Sequence, residues 1–358
     1  MRAVAGTELN IGVLGAGQIA QSAHFESCTK AANARLYAIC ELADDLRIRM
    51  AQTHAPDRVF ADYDQMLADP ALDAVIIATA DAFHVPAAIK ALRAGKHVLC
   101  EKPAGTSIEE VARLAELVRA TGLTYMVGHM KRFDPGIQSA RAFIDGDMGQ
   151  MAALKAWYCD STRRYPMTDA VQPLIVTSAQ AKRPPGDPKS DKRRYYMLAH
   201  GSHLVDTARY LGGPITAVRA RLAERGGMLC WFIDTEFASG ALGHLDLTVA
   251  LRMDWHEGFQ IYGQNGSVLG RTFNPWYFRA SEVDIFDERS GKTSRILGED
   301  GHFYRRQVES FARTILDGAA MEGASVQDGL AAMQAMRAIA QSVETGARVE
   351  LDAVTGAI

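Results

Sequence analysis

Lys102 is the side chain in this sequence best set for chemistry. It closes the run HVLCEKP at 97–103, in which Val98, Leu99 and Cys100 read as a short buried strand stopped by a charged pair and a proline. The proline biases Lys102 away from the helical region and into an extended conformation at the carboxyl end of that strand. In an open α/β sheet this edge is where ligands bind. Thr106 or Ser107 can then cap a helix whose apolar positions Ile108, Val111, Leu114, Ala115 and Val118 share one stripe, and Glu109 stands at capping-box spacing from Thr106. A lysine held between a strand and a capped helix can donate to an oxygen that develops negative charge. Read alone, it is equally a solvated loop lysine.

A second motif changes that balance. Residues 9–14 form a short apolar strand that opens onto Gly15-Ala16-Gly17-Gln18-Ile19-Ala20, a G-x-G-x-x-A turn with a helix-like continuation. The first glycine allows the tight turn, the second lets backbone approach a pyrophosphate, and the small third residue lets the helix pack on the strand with its N-terminus toward the phosphates. The next strand, 35–40, ends in Glu41, 21 positions after Ala20. A carboxylate there accepts hydrogen bonds from the ribose hydroxyls of a dinucleotide. The next cation is Arg47, too far on to meet a 2′-phosphate at once, so NAD is expected rather than NADP.

These residues need elements to position them, and the first half supplies an alternation of the right kind. Residues 43–53 and 63–68 read as helices, 58–60 as a short strand, and 73–80 (DAVIIATA) as a strand buried on both faces. A helix at 85–94, the strand into Lys102, the capped helix and a strand at 124–127 complete a doubly wound parallel sheet built by right-handed crossovers. The strand ends gather Thr79, Asp81, His84, Glu101, Lys102, His129 and Arg132 along one edge. His84 and His129 can equally be ordinary loop or cap histidines.

From about residue 130 the pattern changes to longer strands, at 151–158, 215–222, 228–237, 241–250, 257–262 and 283–286. In the fourth, Ala241, Gly243, Leu245, Leu247 and Val249 alternate with Leu242, His244, Asp246 and Thr248, the period of a sheet with two unlike faces. His244 and Asp246 read as interface or solvent residues. The polar stretch 160–194, with Pro166, Pro173, Pro184, Pro185 and Pro188, reads as a substrate-side or subunit-contacting loop. Helical, alanine-rich segments at 302–316 and 326–344 close with a strand-like 348–351.

Composition bounds the partners. The 358 residues suffice for about two domains. The net charge of −3 suggests neither a nucleic-acid groove nor an anionic membrane surface. Five scattered cysteines, with Cys40 and Cys100 in strand cores, fit reduced thiols. The opening MRAVAGTEL lacks the apolar run of a signal peptide and no run reaches membrane-spanning length, so a soluble cytoplasmic protein is expected.

GAGQIA at 15–20, TADAFHVPAAIKALRAGKHVLCEKP at 79–103, KRFDP at 131–135, HGSHLVDTARYLGG at 200–213 and IYGQNGSVLG at 261–270 form an ordered set, joined by FARTILDG and SVETGARVEL near the C-terminus. With these motifs the chain resembles the Gfo/Idh/MocA oxidoreductases, the glucose–fructose oxidoreductase and inositol dehydrogenase family. The resemblance implies an α/β fold: an N-terminal NAD-binding Rossmann domain over 1–130, then an α+β domain over 131–358 with a large, open-faced, mainly antiparallel sheet for substrate binding and oligomerisation. It also implies a homodimer or homotetramer through the open sheet face. The expected cofactor contacts are Gly15, Gly17, Gln18, Ile19, Glu41, Thr79, Asp81, His84, Glu101 and Lys102.

In such proteins the histidine of HGSH acts beside the EKP lysine as proton donor or acceptor, which puts Lys102 and His203 in the catalytic roles. Leu204, Val205, Ala208 and Leu211 give the helix a buried stripe, so His203, Asp206, Thr207 and Tyr210 are expected on its other side. A position near the helix N-terminus would favour the neutral imidazole that a proton acceptor needs. His200 and His203 have an HxxH spacing, but no third ligand stands nearby and no metal is expected. One departure stands out: many relatives carry an aspartate where this chain has Ala199. His200, Asp206, Tyr195 or Tyr196 are the candidates to compensate. Lys102, His129, Arg132, Tyr195, His200 and His203 are the expected substrate contacts.

The expectation is an NAD-dependent dehydrogenase oxidising a ring secondary hydroxyl of a sugar, glycoside or cyclitol, with the hydride passing to nicotinamide. The ammonium of Lys102 and the imidazole of His203 are expected to meet on one substrate oxygen. The alternatives are a reductase of a keto sugar or other carbonyl, and a non-catalytic NAD-binding regulator of the same fold.

Overall fold

Continuous β-branched and apolar runs, buried on both faces, build the first sheet. The computed structural model describes residues 7–161, 170, 172–185, 189–297 and 301–358. The chain folds as two compact units. The first comprises the described residues of Met1–Met130, Gln172–Pro188 and Tyr304–Leu330; the second those of Lys131–Val171, Lys189–Phe303 and Ala331–Ile358.

In the first unit the strands are β1 (Leu9–Leu14), β2 (Ala34–Cys40), β3 (Arg58–Phe60), β4 (Ala74–Ile77), β5 (His97–Glu101) and β6 (Tyr125–Gly128). They lie in the order β3-β2-β1-β4-β5-β6 and every pair is parallel. Ile11, Val13, Val75, Ile76, Ile77, Val98 and Leu99 are wholly buried, each contributing roughly 1.5–3 kcal/mol over an exposed position. The strand order reverses between β1 and β4, and the crevice at such a reversal is where dinucleotides bind. The helices α1 (Phe25–Lys30), α2 (Asp44–His54), α3 (Tyr63–Ala68), α4 (His84–Arg93) and α5 (Ile108–Thr121) follow the alternation. Ahead of α1 runs a π-helical turn, Ala20–His24. Ser107 rather than Thr106 occupies the N-cap position of α5, and its hydroxyl donates to the Glu109 carboxylate at 2.6 Å instead of capping a backbone N–H, so the box expected from Thr106 and Glu109 does not cap this helix. The edge strand β6 is covered where Val127 N donates to Ala324 O.

The second unit opens with helix α6 (Pro135–Gly146), which the sequence pattern had not suggested, although Asp134 caps it through Gly136 N and Ile137 N ahead of a proline at the first position. Its sheet has nine strands: β7 (Met151–Ser161), β8 (Ile215–Arg225), β9 (Met228–Phe237), β10 (Leu242–Leu251), β11 (His256–Gly263), β12 (Gly266–Thr272), β13 (Glu282–Asp287), β14 (Lys292–Arg295) and β15 (Val349–Glu350). The order is β14-β13-β12-β11-β7-β10-β9-β8-β15, antiparallel throughout except for the β7–β10 pair. The two unlike faces of β10 are present: Leu245, Leu247 and Val249 are buried, while Leu242 and His244 are exposed. The strands β12 and β14 add to those legible in the sequence.

Among the described residues no helix is long and apolar enough to cross a membrane. Of the proline-bearing stretch, Pro166 and Pro188 lie outside the described residues. Residues 172–185 belong to the first unit, and helix Lys192–Tyr196 to the second.

Candidate functional site

In the first unit the glycine turn sits at the end of β1. Gly15 has φ +90°, and a Cβ there would lie 3.0 Å from the Ala78 carbonyl, so both the conformation and the approach of β4 require glycine. Gly17 has open space around it, and Gly17 and Gln18 are exposed, as a backbone that receives a pyrophosphate must be. Glu41 leaves the end of β2 and reaches the same turn. Its carboxylate accepts from Ala16 N at 2.9 Å and from Ala43 N at 3.0 Å. Arg47, in the first turn of α2, donates back to Glu41 O and pairs with Asp44 of the same helix. An open glycine turn beside a carboxylate at the end of the next strand fits the adenosine half of NAD. Gly15, Gly17, Gln18, Ile19 and Glu41 are the residues that would hold it.

The strand ends around Lys102 are more tightly built than the sequence suggested. Glu101, expected as a cofactor contact, is buried, and its Oε1 accepts from His24 Nε2 at 2.8 Å while its Oε2 accepts from Lys102 N at 3.2 Å. Burial works to raise its pKa, but the His24 hydrogen bond and charge, aided by Lys102 and His84, outweigh it and hold the carboxyl below the usual range. His84, another expected contact, is also buried. Its Nδ1 faces Pro103 O at 2.8 Å and its Nε2 faces Thr79 O at 3.1 Å. Carbonyls only accept, so both ring nitrogens donate and the geometry suits the imidazolium. Burial opposes that charge, yet Cys100, Asp81 and the Pro103 carbonyl push the pKa up to about 10. Glu101 and His84 thus brace the loop rather than present free groups to a ligand. Lys102 itself is half-buried between them. Thr79 and Asp81 stand partly exposed at the end of β4, and His129 is buried beyond β6.

Sequence reasoning missed two neighbours here. His24 lies in the turn Ala20–His24, wholly buried, its ring nearly perpendicular to that of Tyr304 with the centroids 5.8 Å apart. Gln21 clamps residue 176 by both amide atoms: Nε2 donates to Val176 O and Oε1 accepts from Val176 N, each at 2.9 Å. Ser178 donates to Asp45 at 2.6 Å. The segment 172–185 therefore lies against the turn Ala20–His24 and the start of α2, a placement with no local sequence signal.

The second unit holds the other candidates. Helix Lys192–Tyr196, the π-helical turn Met197–Gly201 and helix Ser202–Gly212 follow one another with helical backbone at their junctions. His203 is consequently inside a continuous helical run, and the expected dipole effect of an adjacent N-terminus does not apply. The polar side of this run is not solvent-facing either: Asp206 and Thr207 are buried. Asp206 accepts from Arg132 Nη2 at 2.7 Å and Nε at 3.0 Å, and Tyr210 lies under the same guanidinium. Arg132, expected as a substrate contact, spends its planar fork on this buried pair.

On the inner face of the sheet, Tyr158 collects the titratable groups. Its ring is parallel to that of His203 (2°, centroids 5.9 Å apart), its hydroxyl is 3.3 Å from His200 Nδ1, and Trp255 meets its edge. The Lys131 ammonium stands 4.4 Å above the ring and pairs with buried Glu257, the residue opposite Tyr158 on β11. Burial pushes the Glu257 carboxyl up, with Lys131 partly offsetting it. His200 also faces Asp160, with Nδ1 3.4 Å from Oδ2, both side chains being buried. Tyr196 packs against His200, and Tyr195 against Tyr196. His200, His203 and the Tyr195–Tyr196 pair are thus brought together. Asp160, at the end of β7, sets a carboxylate beside His200, a residue absent from the candidates read in the sequence.

Comparison with known proteins agrees with both halves. A family model described as "Oxidoreductase family, NAD-binding Rossmann fold" matches residues 9–129, and the GFO/IDH/MocA C-terminal domain matches 137–269. The myo-inositol 2-dehydrogenase of Thermotoga maritima is 24% identical over 97% of this chain and 100% of its own. Inositol 2-dehydrogenase 2 of Saccharopolyspora erythraea is 26% identical over 96% of each. Among solved structures, levoglucosan dehydrogenase in complex with NADH and levoglucosan superposes with a TM-score of 0.76 at 22% identity, covering 96% of this chain and 99% of that one. An NAD-binding oxidoreductase from Klebsiella pneumoniae reaches 0.80 at 18%, covering 97% and 99%. With its two domain models in tandem over more than half its length, and a dinucleotide turn, EKP loop and open sheet in their places, the chain belongs to the GFO/IDH/MocA family of NAD-binding oxidoreductases.

Proposed function

We propose that this enzyme oxidises a ring secondary hydroxyl of a sugar, glycoside or cyclitol. NAD, when bound, supplies the hydride acceptor. Lys102 donates a hydrogen bond to the reacting oxygen and stabilises the negative charge that develops there. His203 takes the hydroxyl proton. His129, Tyr195 and His200 serve the substrate, while Arg132 secures the helix that carries His203. The same groups serve carbonyl reduction in the reverse direction.

The observation that carries this reading is the bracing of Lys102. The residue before it is held by His24 and the residue after it by His84, both buried, so the ammonium stems from backbone fixed on either side. A loop lysine with only a solvation role has no use for two buried imidazoles. The substrate class draws support from the relatives named as inositol dehydrogenases and from the levoglucosan complex.

We also infer self-association through the outer sheet face. Strand register puts Phe232, Leu242, Tyr262, Leu269 and Phe286 on one side, and all five are exposed. Large apolar side chains exposed on one sheet face favour association with a second such face.

The test is a panel of inositols, aldoses, glycosides and anhydrosugars with NAD, read by NADH absorbance. At least one polyol should be turned over. Lys102→Met should keep NAD affinity and lose roughly 10³-fold or more in kcat. Near-wild-type turnover in that variant overturns the assignment.

A further inference from the structure

We propose that Asp160 is a positioning residue of the proton-handling site, acting through His200 and supplying from a strand the carboxylate that Ala199 does not. The inference rests on the proposed function, and it concerns a residue 40 positions before the histidine it serves.

Asp160 and Tyr158 are two apart on β7 and so share its inner face. Both address one atom. The carboxylate Oδ2 is 3.4 Å and the phenol oxygen 3.3 Å from His200 Nδ1. The groups around this point come from three elements. Tyr196 and His203 belong to the helical run, Tyr158 and Asp160 to β7, and Glu257 to β11, with Lys131 above the Tyr158 ring. Lys131 pairs with Glu257, and Asp160 is a carboxylate set beside the His200 imidazole.

A carboxylate at Nδ1 favours the Nδ1–H tautomer, which leaves Nε2 as the basic nitrogen, and it raises the ring's affinity for a second proton. His203 stands three residues further along the same helical face and stacks on the phenol that also meets His200. Asp160 therefore governs the charge next to the proposed base without touching substrate.

Asp160→Asn keeps the shape and removes the charge. With the polyol identified by the panel, kcat/KM should fall about 10- to 100-fold, at or below the lower end of general-base effects, as befits a group one step removed from the base. NAD affinity should stay within about twofold. The rising limb of the pH profile for oxidation should move down by about one unit, because His200 and the proposed base His203, both set against Tyr158, hold a proton less tightly once the nearby negative charge is gone. Adding Ala199→Asp to Asp160→Asn should return the limb toward its original position. An unmoved limb in Asp160→Asn overturns the proposal, and failure of Ala199→Asp to restore it overturns the equivalence of the two positions. An independent readout is the imidazole ¹⁵N spectrum of the wild-type protein, in which His200 should carry its proton on Nδ1. Finding it on Nε2 overturns the proposal even if Asp160→Asn does not fold. If no polyol is oxidised, the proposed function fails, while the ¹⁵N spectrum still decides the role of Asp160.

Discussion

His24 Nε2 lies 2.8 Å from Glu101 Oε1, joining the turn after the glycine motif to the end of the strand that carries Lys102. Both side chains are buried, so neither has water as a substitute partner. Removing one side of such a pair is costly because the other charge stays buried. His24→Leu should destabilise the protein by about 3–5 kcal/mol, measured by urea unfolding at neutral pH. The pair also predicts acid sensitivity. The Glu101 carboxyl is held below its ordinary range, so its stabilising contribution is complete above the unfolded value and is lost as pH falls through the folded one. Glu101→Gln should remove that part of the acid limb.

His84 predicts the opposite limb. Its folded pKa is raised from 6.5 to about 10, so the stabilisation it provides is complete below the unfolded value and is lost as pH rises toward 10. Unfolding midpoints of the wild-type protein should therefore decline between pH 7 and 10. His84→Leu should be less stable at pH 7 and show a flatter profile across that interval.

Glu41 ties the dinucleotide choice to the turn itself, since its carboxylate also accepts from Ala16 N. Glu41→Ser should weaken NAD binding about tenfold, near 1.4 kcal/mol, and reduce discrimination against NADP. Calorimetric titration with each dinucleotide measures both effects.

The outer sheet face gives a prediction about size. Replacing Phe232 and Leu242 by aspartate should lower the molar mass seen by light scattering without changing the circular dichroism, because both side chains point away from the core. An unchanged mass would place the contact elsewhere.

How far the sequence alone reaches depends on whether a signal is local. Gly15 and Glu41 were legible because a tight turn and a strand-ending acid have fixed residue requirements over about 25 positions. The alternation of β10 was legible because a half-buried strand has a period of two. Helix α6 carries a clear local signal, Asp134 ahead of Pro135, inside a stretch that also matches a family motif.

The polar face of Ser202–Gly212 misled for a physical reason. Polar residues at helical spacing ordinarily face water, yet Asp206 is buried because Arg132, 74 positions earlier, comes to meet it. The dipole expected at His203 failed likewise, because the helix begins ten residues sooner through a π-helical turn.

The amino-acid sequence by itself determined the dinucleotide turn, the strand that ends at Lys102 and the family to which they belong, since each rests on conformational demands confined to a few neighbouring residues. Only the tertiary structure decided that His24 holds Glu101, that His84 grips Pro103 and that Asp160 faces His200. Those partners are assigned by which strand ends and helix faces are buried together, and burial is what obliges a polar group to find a partner wherever in the chain it lies.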